Sequence, residues 1–349
     1  MNIFTLITAY CFVVALIYGG MTMSQQKRKR IVILFLAPLL YIQTFKSAAS
    51  LPDLQDYVEV YVKTGALSWS SLIKSGFDVD YSMEPGYIFL NKIISLINTN
   101  EHFLFFVIAA VTLVCYGLTI KRFCAFASLA CLLYFFGPFS QSLYVLRQHL
   151  SIAVFLLALP YVIQRKPLKF ILIAIISILL HYTSIVFLPL YFLYHVNDKK
   201  KLAILLIGGS LILKLLMMVI LNYAVSIYGS YSVYLDEDGT NFKVPLLLLI
   251  AVIIRIFLTS DNYLREGENR LITILLCVGF VVSFAGMGFG PSARLFMGYT
   301  SLLWLTIPQT LSIINNARTR KMVGAFYVFA SILMFRALFN YIENLELII

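Results

Sequence analysis

The stretch FILIAIISILLHYTSIVFLPLYFLYHV, from Phe170 to Val196, decides the fold. It is longer than the roughly 20 residues that cross a hydrocarbon core of about 30 Å. It is also interrupted, by His181-Tyr182-Thr183-Ser184 and by Pro189. A single crossing would place Lys199-Lys200-Lys201 outside, Asp236-Glu237-Asp238 inside, and Arg318, Arg320 and Lys321 outside. A chain that folds back at His181 reverses all of these and brings Arg265 and Arg270 inside as well, as the positive-inside rule requires. The fold-back is therefore expected. Its broken backbone must be buried in protein or line a wet cavity, because lipid offers no hydrogen-bond partners.

Working outward, apolar blocks recur along the whole chain. Spans are expected at about 2–20, 31–48, 103–120, 123–139, 148–164, 202–222, 244–260, 271–288, 296–314 and 322–340. The block at 2–20 lacks the basic start and small-residue cleavage site of a signal peptide, and reads as a retained first span. Lys27-Arg28-Lys29-Arg30 follows it and should be cytoplasmic, as should the turns Lys121-Arg122 and Arg165-Lys166. The long segment at about 49–101 is then an outer loop. Within it Leu54, Tyr57, Val58, Tyr61 and Val62 share one helical face and Gln55, Asp56, Glu59 and Lys63 the other. An amphipathic helix on the outer membrane surface is expected there, with a second at Tyr87–Ile97. The fold class is an all-α polytopic membrane protein: one bundle of about 11–12 membrane segments spanning residues 1–349 as a single transmembrane domain.

Composition agrees. Hydrophobic residues make up 61% and charged residues 12%, half the roughly 25% charge of a soluble domain. The net charge of +11 sits in short loops and forms no basic face, which argues against nucleic acid as a partner and for the lipid bilayer. The cysteines Cys11, Cys115, Cys124, Cys131 and Cys277 lie inside apolar blocks without a CxxC spacing, and read as small core residues.

Ionisable groups in or beside the spans are costly in hydrocarbon and carry the functional reading. Arg147 and Arg294 stand at outer span ends, against the topological trend, and a guanidinium fork suits phosphate oxygens. Snorkelling to the surface is the bland alternative. His149 lies two residues beyond Arg147, and Arg336 toward the outer end of the last span. Arg255 is expected to snorkel inward. His181 stands at the break, where a neutral imidazole can take a proton from a hydroxyl. Asp53, Asp56, Asp78, Asp80 and Glu84 make the outer loop acidic, and Pro85-Gly86 fixes a turn behind Glu84. No acid lies deep in a span, as an ion transporter would more often require. Asp78-Val79-Asp80 has the letters of a metal motif but no evident third ligand, so neither a metal nor another cofactor is expected. Arginines, histidines and carboxylates on the outer half of an apolar bundle suit a lipid-linked phosphate substrate.

Five motifs occur in order: Asp53-Leu54-Gln55-Asp56-Tyr57 with Tyr61; Glu84-Pro85-Gly86-Tyr87; Leu146-Arg147-Gln148; His181-Tyr182-Thr183-Ser184; and Arg294-Leu295-Phe296-Met297-Gly298-Tyr299. Together they resemble the EpsG-like branch of Wzy-type polysaccharide polymerases. The resemblance implies an enzyme of the bacterial inner membrane that polymerises undecaprenyl-pyrophosphate-linked oligosaccharide units on the periplasmic or outer face. Donor and acceptor are both lipid-linked, and a chain-length regulator is a further candidate partner. Combined with the site chemistry, the resemblance implies catalytic roles for His181, Glu84 and Arg147. It implies substrate binding by Arg147, Arg294, His149, Asp53, Asp56, Asp80 and Arg336. Whether His181 or Glu84 is the base stays open. So do a ligase, an acyltransferase or a flippase in place of the polymerase.

Overall fold

A computed structural model describes residues 3–18, 24–79, 83–227, 242–259, 264, 266–287, 292–342 and 347. Helix α1 is Ile3–Tyr18, α2 Gln25–Phe45, α3 Leu54–Ala66, α4 Trp69–Lys74, α5 Pro85–Ser95 and α6 Glu101–Phe123. Then come α7 Ala127–Tyr134, a π-turn at Phe135–Phe139, α8 Ser140–Ser142, α9 Leu146–Leu156, α10 Leu159–Ile163 and α11 Pro167–Leu180. A 3₁₀ segment, Tyr182–Phe187, leads to α12 Pro189–His195, α13 Lys199–Ile227, α14 Lys243–Phe257 and α15 Glu268–Ala285. The chain ends with α16 Ser292–Leu295, α17 Met297–Thr300, α18 Leu303–Ser312 and α19 Ala317–Ile342. The result is a helical, multi-pass membrane protein. Among the described residues, three helical segments are long and apolar enough to cross a bilayer unaided: Glu101–Phe123, Leu146–Ile163 and Glu268–Ala285. Asp236–Asp238 and Arg265 lie outside the described residues.

Three expected spans are interrupted: the block at 148–164 carries a turn at 157–158 between α9 and α10. The block at 123–139 gives way at Pro138 to the π-turn, because proline has no N–H for the helical ladder. The block at 296–314 splits into α17 and α18, with Gly298 pressed so tightly on Phe187 that a Cβ would lie 2.1 Å from its ring.

The chain does fold back at His181. Its backbone is extended there, at φ −161° and ψ 120°, and the N–H of His181 caps α11 by donating to the Ser177 carbonyl. The following limb returns along α11, so that the Tyr191 ring in α12 sits 5.2 Å from Phe170 near the start of α11. Both ends of the hairpin meet the same turn: Arg165 pairs with Glu266 at 3.2 Å, and Arg270 donates to the Asn197 side chain at 3.1 Å. The inner side of the break is tied into the bundle, with Ser184 buried while Tyr182 and Ile185 are exposed, so its polar groups find partners in protein. Ser151 of α9 donates to the Ser177 carbonyl at 2.7 Å, Ser177 returns a bond to the Ser151 carbonyl at 2.8 Å, and the Ser184 hydroxyl bonds that of Ser151.

The amphipathic helix of the 49–101 segment is present as α3, but its aromatic face is not laid on a membrane surface. Tyr57 and Tyr61 are buried in protein, with α3 packed on α5. Lys92 of α5 holds that pairing by donating to the Gly65 and Leu67 carbonyls, at 2.9 and 2.6 Å, at the negative end of α3. Arg255 does not snorkel either. Its guanidinium is buried and donates to Thr273, Thr310 and the Asn269 carbonyl, so the bundle supplies the partners that water would have given. Four cysteines are buried, Cys277 is partly buried, and all five are free thiols.

Candidate active site

Glu84 is the N-cap residue of α5, with Pro85 at the first helical position, where its missing N–H costs nothing. Gly86 lies against the end of α11, where a Cβ would stand 2.6 Å from the Leu179 carbonyl oxygen. That close approach, which only glycine permits, brings the Glu84 side chain to the break two residues beyond Leu179. The carboxylate is almost fully buried, with 4% of its side chain exposed. One oxygen, Oε2, accepts from Arg147 Nη1 at 2.5 Å. The other, Oε1, accepts from His181 Nδ1 at 2.5 Å and from the Tyr182 backbone N–H at 3.3 Å.

The electrostatics follow. Burial alone would raise the Glu84 carboxyl, but the His181 hydrogen bond, the His181 charge and the Arg147 charge together outweigh it and hold the group down at about 2. Glu84 is therefore an anion at any ordinary pH. An ionised carboxylate only accepts hydrogen bonds, so Nδ1 of His181 carries the proton that bridges them. In the neutral ring Nε2 is then the basic nitrogen. No described residue bonds Nε2, and the His181 side chain remains 13% exposed.

Arg147 enters from the start of α9. Its guanidinium carbon lies 5.6 Å from the Tyr57 ring and 6.0 Å from the Tyr87 ring, a cationic group between two aromatic faces. Gln148, the next residue, donates to the Thr183 hydroxyl at 3.2 Å and to the carbonyl of Arg294. The Tyr299 hydroxyl donates to Val186 at 3.2 Å, which fastens the 294–299 motif to the 3₁₀ segment. All five sequence motifs thus meet at one place, although Glu84 and the Arg294 carbonyl come from segments far apart in the chain.

The remaining predicted site residues are placed as follows. Asp53 sits in the left-handed region at φ 63° before α3. Asp56 is partly buried within the field of Arg147; burial, Asp53 and Glu59 raise its carboxyl above the usual range, and Arg147 opposes them. The Arg294 side chain is exposed while its carbonyl is tied to Gln148. His149 is fully buried, and neither ring nitrogen has a hydrogen-bond partner among the described residues. It stands within electrostatic reach of His181. Arg336 lies on α19, and its side chain and all of Asp80 fall outside the described residues. Sequence alone does not mark Tyr57, Tyr87, Gln148 and Thr183 as site residues. Their signal was membership of the same five motifs. Lys46 had none: buried at the end of α2, it donates to the Gln43 side chain at 3.0 Å and the Leu143 carbonyl at 2.6 Å.

Comparison with known protein families gives a match over most of the chain. The model of the EpsG family aligns with residues 29–348, nearly the whole chain and every motif named above. No curated protein and no solved structure matches.

Proposed function

The chain belongs to the EpsG family, and from that membership and the carboxylate shared by Arg147 and His181 we propose a glycosyltransferase of the polysaccharide-polymerase type. Its substrates are undecaprenyl-pyrophosphate-linked oligosaccharide repeat units, joined on the outer face of the bacterial inner membrane. The observation that carries this reading is the buried bridge from Arg147 through Glu84 to His181. It is the arrangement of an oriented general base: a carboxylate fixes the tautomer, and the far ring nitrogen is left to receive a proton.

In the proposed step, a hydroxyl of the acceptor unit attacks the anomeric carbon of the donor. The new glycosidic C–O bond forms as the bond from that carbon to the pyrophosphate oxygen breaks. The pyrophosphate leaves with the electron pair, and the hydroxyl proton passes to Nε2 of His181. Glu84 stays ionised and steadies the imidazolium. Arg147 holds Glu84 and adds positive charge behind it. Arg294, exposed beside Gln148, meets the departing pyrophosphate, for which a guanidinium fork is suited. Asp53 and Asp56 face sugar hydroxyls from the start of α3. The reaction is proposed to need no metal, since arginine supplies the cation. A chain-length regulator is a proposed partner.

The test is a deletion of the gene complemented with wild type or with His181→Ala, read on a glycan ladder gel. Wild type should restore the ladder, and His181→Ala at normal abundance should leave a single repeat unit on the lipid, since a lost general base costs about 100-fold or more. A deletion strain that exports no repeat unit at all would point instead to a flippase. An intact ladder in His181→Ala would remove the proposed base.

A further inference from the structure

The bundle carries a second charged feature at the other end of α6 and α9 from Glu84. There a cleft of about 320 Å³ opens between the start of α2, the end of α6, the end of α9 and α10. Gln25, Lys121 and Arg122 supply its polar wall, and Leu118, Leu156 and Pro160 its apolar one. Among the described residues, no carboxylate comes within ion-pairing distance of Lys121 or Arg122. Glu268 is within electrostatic reach of Arg122, but it accepts a hydrogen bond from Gln309 at 3.3 Å and makes no pair with the arginine. The guanidinium of Arg122 is steadied over the Phe123 ring at 5.5 Å. Lys27-Arg28-Lys29-Arg30 begins two residues beyond Gln25, so the surroundings are strongly basic.

A second observation gives the cleft a direction. Val111, Val114 and Leu118 are exposed on α6, at 39%, 58% and 49%. Spaced three and four residues apart, they form one ridge of the helix, and Lys121 and Arg122 continue it by the same steps. Leu118 belongs to both the ridge and the cleft wall. The ridge is about 10 Å long at 1.5 Å per residue, enough to lie along half of an acyl chain. Two cations at the head of an apolar rail match an amphiphile with an anionic head.

We propose that this cleft binds the phosphate head group of an anionic phospholipid from the adjoining leaflet, with one acyl chain laid along Val111, Val114 and Leu118. Basic pockets between transmembrane helices take such head groups by charge, each cation contributing about fivefold in affinity. The site is independent of the polymerase reading, since none of its residues touches the Glu84 cluster.

The experiment is native mass spectrometry of the purified full chain titrated with phosphatidylglycerol or phosphatidylcholine. Wild type should retain phosphatidylglycerol in preference. Lys121→Gln with Arg122→Gln should weaken that retention by about 30-fold and leave phosphatidylcholine unchanged. Lys121→Arg with Arg122→Lys should keep it, which separates charge from misfolding. Leu118→Gln should weaken it without a change of charge. Equal retention of phosphatidylglycerol by wild type and the double Gln variant would overturn the proposal. So would displacement of the lipid by soluble glycerol phosphate at equal concentration, which would make the ligand a free anion.

Discussion

Gly86→Ala tests whether the site depends on the close approach of α5 to α11. Alanine is the better helix former by about 1 kcal/mol, so in isolation the change should stabilise α5. In the bundle its Cβ would lie 2.6 Å from the Leu179 oxygen and 2.7 Å from the Leu179 Cβ, against about 3.4 Å for ordinary contact. One helix must move by about 0.8 Å to make room. Leu179 and Leu180 belong to the last turn of α11, which the His181 N–H closes on the Ser177 carbonyl, so His181 moves with that turn and the opening falls between Glu84 and His181. A 2.5 Å hydrogen bond stretched by that amount reaches the limit of a useful contact. Misplacement of a catalytic group by about 1 Å costs on the order of 100-fold in rate, and overpacking costs about 1–3 kcal/mol in stability. The assay is the complemented deletion strain, with membrane abundance and the glycan ladder measured side by side. The expected result is near-normal abundance with the ladder largely lost. A full ladder in Gly86→Ala would refute the argument, because it would mean that the Glu84–His181 contact is either preserved without the glycine or not needed.

Arg147→Ala should lower abundance as well as activity, because it strands a buried carboxylate at a cost of about 3–5 kcal/mol; Glu84→Gln with Arg147→Met should recover abundance and remain inactive, as quantified by immunoblot and ladder gel. If the double variant is as scarce as Arg147→Ala, the pair does more than balance charge. Purified enzyme should keep polymerising in excess EDTA; activity lost there and restored by Mg²⁺ or Mn²⁺ would turn attention to Asp78 and Asp80. Cysteine labelling from outside the cell should miss Lys200→Cys and Arg320→Cys and reach Asp238→Cys, and outside labelling at position 200 would reverse the proposed orientation.

Much of the architecture could be read from the chain because lipid imposes a simple rule on backbone and composition. The fold-back at His181 followed from where lysines and arginines fall, with no knowledge of packing, and the Tyr191–Phe170 contact is its physical counterpart. What the sequence concealed was decided by tertiary contact. The close seat of Gly298 in α17 depends on Phe187, more than a hundred residues away, and no local pattern announces it. The burial of Tyr57 and Tyr61 against α5 likewise depends on a partner helix, whereas their spacing alone is satisfied equally by a membrane surface. At the site, residue types were legible one at a time, but the link between them was not. Arg147 looked like an unpaired outer cation suited to pyrophosphate; its partner was Glu84, whose own signal was only a Pro-Gly turn.

That pairing changes how the site's charge should be counted. Burial works against the Glu84 anion, but the hydrogen bond from His181 and the charge of Arg147 favour it, Arg147 is always cationic, and His181 is taken as the neutral member in the proposed resting form. The three together then carry no net charge, which makes their burial tolerable in a low-dielectric bundle. On the proposed mechanism, capture of the acceptor proton converts His181 to an imidazolium and gives the cluster one positive charge. That charge appears in the same step in which the pyrophosphate becomes a leaving anion. An arginine without a carboxylate would present its charge before the reaction as well as during it, and would bind substrate and transition state alike. A cluster that becomes cationic only when the hydroxyl gives up its proton favours the transition state over the bound substrate, which is the difference that raises a rate. On this argument Glu84 both orients His181 and withholds the charge of Arg147 until the proton moves.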